Sequence, residues 1–129
     1  MQTHKSLLQA HLERNGWEVT EVMEGVDWWA DEHWRIESRW NQWGLELIVT
    51  FLVDPMWDDV RKKGEGVWAA IVTESIPEGR PTFDLDKVSV AWLRMKGGKG
   101  SFDPQLDAFV DAINTYRNRT DRAEEGDQT

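Results

Sequence analysis

Between residues 45 and 53 the chain alternates so that Leu45, Leu47, Val49, Phe51 and Val53 form one wholly apolar row. The intervening Glu46, Ile48, Thr50 and Leu52 form a row that is half apolar. A two-residue repeat of this kind belongs to an extended strand, whose side chains leave opposite faces in turn. One face of the sheet containing it must be buried against other elements, and the second is too apolar for a simple solvent face. Any fold for this chain has to cover one side of a sheet and account for the other. Asp54 and Pro55 close the run, because proline has no N–H to give to a ladder.

The flanking segments supply the cover. Residues 3–15 read as an amphipathic helix with Leu7, Leu8, His11 and Leu12 on one face, stopped by Asn15 and Gly16. Residues 17–23 and 31–41 read as strands. In the first, Trp17, Val19, Glu21 and Met23 alternate with Glu18, Thr20 and Val22. In the second, Trp34, Ile36 and Trp40 face one way and His33, Arg35, Glu37 and Arg39 the other. Asn41, Gln42, Trp43 and Gly44 form a turn into 45–53, which suggests a hairpin. After a loop over 55–66, strands are expected at 67–76 and 88–95, separated by the breaker run from Pro77 to Pro81. A final helix has Asp103 as its expected N-cap, Pro104 at its first position and Asp107 in its first turn. Leu106, Phe109, Val110 and Ile113 form its buried stripe, with Tyr116 near its end. Residues 120–129 are expected to form a disordered polar tail. The order helix, five strands, helix, joined by short connections, predicts an α+β domain over 1–119: a mostly antiparallel five-stranded meander sheet between an N-terminal and a C-terminal helix.

Composition narrows the function. A chain of 129 residues can bury a core without staples, and the lack of any Cys removes disulfides, thiolate zinc sites and cysteine nucleophiles together. The 24 acidic residues outnumber 15 basic ones for a net charge of -9, which argues against nucleic acid and anionic membranes as partners. The basic run Arg61, Lys62 and Lys63 reads as a solvated loop. No apolar stretch approaches the roughly 18 residues of a membrane span, and no signal core leads the chain, so the expected location is cytoplasmic.

Candidate chemistry is thin. Gly97, Gly98, Lys99, Gly100 and Ser101 join a strand to a helix where phosphate loops occur, but Leu93 stands where the first glycine of such a loop belongs. A turn is the better reading. Asp27, Asp31, Glu32 and His33, and separately Asp54, Asp58 and Asp59, lack calcium-loop or zinc-helix spacing, so no metal and no cofactor are expected. His33 and Glu37 lie on one strand face and would support acid–base work only with a partner from a neighbouring strand. Without one, their row is a charged face laced by cross-strand ion pairs.

The nine tryptophans carry the remaining lead. Trp17, Trp34, Trp40 and Trp92 alternate with polar residues and read as core. Trp28, Trp29, Trp43 and Trp57 fall in loops or turns, either folded back on the ends of the core or exposed as anchors. Trp68 is expected to share a second sheet face with Ala70 and Val72, beside Ile48 and Leu52. If both helices cover the opposite side, that patch must face solvent, a ligand or another chain. The expected function is a non-enzymatic protein-interaction domain using Ile48, Leu52, Trp68 and Val72, with Trp28, Trp29 and Trp57 as rim anchors. Its partner would be another protein or a second copy in a homodimer. The alternatives are a binder of a small aromatic or apolar ligand and, behind it, an enzyme using His33 and Glu37.

Overall fold

The alternating segments pair with one another in chain order. A computed structural model of the protein describes residues 4–24, 30–39, 45–53, 67–76, 90–95 and 99–127. Its elements are α1 (His4–Arg14), β1 (Trp17–Glu24), β2 (Ala30–Ser38), β3 (Glu46–Val53), β4 (Val67–Thr73), β5 (Ala91–Arg94) and α2 (Lys99–Asp127). The strands lie in the order β1-β2-β3-β4-β5 and every neighbouring pair is antiparallel. This is the α+β meander with one helix at each end that the hydrophobic pattern predicts.

Both helices pack on the same face of the sheet. Leu8 and Leu12 of α1, and Phe102, Leu106, Phe109, Val110 and Ile113 of α2, share one core with Trp17, Trp34, Ile36, Leu47, Val49, Phe51, Ala70, Val72 and Leu93. The second face has its own small cluster of Ala30, Leu52, Ala69 and Ile71. Row by row, the register carries that face from Met23 through His33, Thr50 and Ile71 to Trp92 on the last strand.

Three ladders contain an extra residue. The shifts fall at Thr20 in β1, Asp31 in β2 and Trp68 in β4. A bulge of this type puts two residues against one and reverses the side-chain phase beyond it. Trp17 and Val19 therefore lie opposite Ser38 and Ile36 on the first face, whereas Glu21 and Met23 lie opposite Arg35 and His33 on the second. The expected single row from Trp17 to Met23 is broken at this point. In β4, Val72 and Ala70 stand opposite Val49 and Phe51 on the helix-covered face, not beside Ile48 and Leu52 as expected. Alternation fixes which residues of β4 share a face but not which face that is; the pairing of Val72 with Val49 decides it.

Helix ends also differ in an instructive way. α1 stops where expected: Asn15 N–H donates to Leu12 O at 3.0 Å and Gly16 N–H to Glu13 O at 3.2 Å. Gly16 takes φ 82°, a left-handed conformation natural only to glycine. α2 begins at Lys99, so Asp103 and Pro104 lie inside the helix and are not its cap and first residue. The extra turn buries Phe102 completely, and its ring stacks on His4 of α1 with centroids 4.2 Å apart. Burial of one aromatic outweighs a well-formed cap four residues later. The helix also continues through residues 120–127, past the boundary at which a polar tail is expected.

Candidate functional site

Among the described strands β5 is the last in the sheet, bonded to β4 on one side. Its other side borders a groove of about 360 Å³ lined by Ala91, Trp92, Leu93, Arg94, Gln105, Ala108, Phe109 and Ala112. Alternation sends odd and even residues of a strand to opposite faces, so a groove touched by four consecutive residues runs along the strand's edge. The helix wall is equally regular. Gln105, Ala108, Phe109 and Ala112 fall at i, i+3, i+4 and i+7 and make one stripe beside the buried one. Two of its four members are alanine, which holds that wall back from β5.

The groove is an exception in charge as well as in shape. None of its eight lining residues is acidic, and Arg94 is its single cation. On α2, Asp103, Asp107 and Asp111 occupy the flank turned away from β5, where His11 Nε2 of α1 lies 3.4 Å from Asp107 Oδ1. Arg94 is exposed and makes no ion pair among the described residues. Trp92, on the same face of β5, is 46% exposed. The alternation places Trp92 in the core; in the structure its ring stands on the second face at the margin of the sheet, next to Ile71.

The residues expected to form an apolar docking patch do not come together. Ile48 and Leu52 are on the second face but only 3% and 4% exposed. Val72 lies on the other face, in the main core. Trp68 is in β4 at the register shift, and its side chain is outside the described residues, as are Trp28, Trp29, Trp40, Trp43 and Trp57. Trp17 and Trp34 are buried in the core as expected.

His33 and Glu37 share the second face but stay about 13 Å apart at ordinary strand rise, with Arg35 between them. His33 is buried and its Nδ1 lies 2.8 Å from Thr50 Oγ1. Glu37 has glutamates as cross-strand neighbours on both sides, Glu18 and Glu46. The expected ion pairs are present: Arg35 lies 3.4 Å from Glu46 and 3.8 Å from Glu21, and Arg39 lies 3.8 Å from Glu18. Geometry thus makes this row a cross-strand charge lattice.

Two polar clusters escape a reading of spacing alone. Lys5 of α1 sits 2.6 Å from Asp31 Oδ2 and 3.0 Å from Glu32 Oε1, over the Phe51 ring at 4.6 Å. Trp34 Nε1–H donates to the same Glu32 oxygen at 2.9 Å. Adjacent residues of a regular strand face opposite ways; the bulge at Asp31 lets both carboxylates reach one ammonium. At the opposite end of the sheet the buried Arg117 donates to Asn15 O at 2.9 Å, Asn114 Oδ1 at 3.1 Å and Ser38 Oγ at 3.4 Å. Its guanidinium lies 5.0 Å from the Trp17 ring, whose Nε1–H donates to Asn114 Oδ1 at 3.1 Å. Each cluster fastens a helix to the sheet.

Comparison of the chain with family models, with curated proteins and with solved structures returns no match. No helix among the described residues is long and apolar enough to cross a membrane.

Proposed function

We propose that this chain is a non-enzymatic, cytoplasmic protein-interaction domain that accepts an extended segment along the edge of β5. The observation that carries the reading is the groove itself: a strand edge on one side, a helix stripe with two alanines on the other, and no carboxylate in its lining. An extended segment entering it gains main-chain hydrogen bonds from the strand, and its alternate side chains meet either the alanines of α2 or the exposed Trp92 and Arg94. β5 is four residues long, about 13 Å at strand rise, so it reads a segment of four or five residues. The docking surface thus moves from the face around Ile48 and Leu52, which is buried, to the sheet margin.

The test is to pan a displayed library of short peptides against the protein and against Ala108→Trp, whose indole fills the groove. Peptides with apolar residues at alternate positions should be enriched on the natural chain at least tenfold over the filled variant. Equal enrichment on both would overturn the reading. A small aromatic or apolar ligand is the second reading, favoured by a groove volume within the roughly 300–1,000 Å³ range of small-molecule sites. It predicts compounds that quench Trp92 fluorescence in the natural chain while no peptide is enriched.

A further inference from the structure

We propose that the segment docked at β5 is β5 of a second copy of this chain, paired antiparallel about Leu93 to form one continuous ten-stranded sheet. This inference rests on the strand-docking reading above and gives it an occupant. Opposite residues in an antiparallel pair share a face, so a two-fold axis through residue 93 sets Leu93 against its own copy and Ala91 against Met95 on the helix-covered face. On the second face it sets Trp92 against Arg94 of the other copy, twice. Those are the exposed aromatic and the exposed cation of the edge, and a guanidinium over an indole is a favourable pair. The neighbouring register, centred on residue 92, would stack Trp92 on Trp92 and leave Arg94 against Val90.

Charge points to the same occupant. Two chains of net charge -9 repel over most of their surfaces. The groove lining, with no acidic residue and one arginine, is a place where two copies meet without opposing carboxylates. The same arginine makes a basic segment a poor fit. Each copy brings its own α2 alongside the other across the axis, and Ala108 and Ala112 leave room for that approach.

The experiment is sedimentation equilibrium of the full chain across a concentration series, with three variants at exposed positions. The natural chain should reach twice its mass of 15.0 kDa. Arg94→Glu should weaken the dimer at least tenfold, since it sets a carboxylate against Trp92. Trp92→Glu should keep the dimer and make it salt-sensitive, because the new carboxylate faces Arg94 of the other copy. The double variant, with glutamate facing glutamate, should be monomeric. A dimer through the register centred on residue 92 would instead be lost with Trp92→Glu alone, and a dimer through another surface would survive all three variants; either result overturns the proposal. So does a monomer throughout, in which case groove-dependent peptide enrichment still upholds the broader strand-docking reading.

Discussion

Two residues, Gly16 through its backbone and Arg117 through its side chain, fasten α1 and α2 at the same corner of the sheet. Gly16 turns the chain from α1 into β1 at φ 82°, and its carbonyl accepts the Arg39 N–H at 2.7 Å. A Cβ at that position meets the carbonyl that follows it, so Gly16→Ala should cost ~1–2 kcal/mol in urea unfolding with the slope unchanged. Arg117 is 3% exposed and donates to three groups drawn from the α1 cap, α2 and the end of β2. Replacing it with methionine keeps the volume but leaves buried acceptors without their donor. The expected loss is about 3 kcal/mol. Arg117→Lys should recover only part of that, because an ammonium cannot span the three acceptors as a fork does. Recovery to natural stability with lysine would show that charge alone matters there. Neither role is written in the spacing of these residues. Arg117 looks like any basic residue on an exposed helix turn until Trp17, at the start of β1, is folded 5.0 Å from its guanidinium.

At the level of elements, the hydrophobic pattern carried the number, type and order of strands and helices. Alternation at 31–39 and 45–53 and the stripe from Leu106 to Ile113 are strong because each spans several repeats of one period. The bulges at Thr20, Asp31 and Trp68 left no compositional mark, since an inserted residue costs a ladder one position and nothing in its identity announces it. Alternation also leaves open which face of a strand meets the helices, and the pairing of Val72 with Val49 takes it away from Ile48; the bulge at Asp31 puts that carboxylate beside Glu32 on Lys5. The groove was within reach of the sequence: Gln105, Ala108, Phe109 and Ala112 form a second stripe beside the buried one, and a meander puts its last strand at the sheet margin. The start of α2 was hidden because Asp103 and Pro104 form a sound cap in isolation. Phe102 decides the matter by its burial, and Phe102→Ala should destabilise the domain by about 3–5 kcal/mol. If thermal unfolding shows less than ~1 kcal/mol of loss, the turn ahead of Pro104 is not held by that ring.

At the scale of the whole molecule, a single sheet face is covered by helices drawn from the two ends of the domain. The strands are sequence neighbours and can pair as successive hairpins, so the meander forms from local contacts. The main core is complete only when both α1 and α2 lie on that face. A chain ending at residue 98 should therefore keep strand signal in far-ultraviolet circular dichroism while binding a hydrophobic dye and aggregating. A soluble, dye-silent fragment would mean that the sheet is stable without its second helix. The order of synthesis gives this arrangement a further meaning. A ribosome delivers α1 and all five strands before the residues of α2, so the nascent sheet has only α1 to shelter Leu47, Val49 and Phe51 until α2 emerges. Chaperone demand should thus be concentrated before α2 docks, and depleting the chaperones that hold apolar nascent segments should lower the soluble yield.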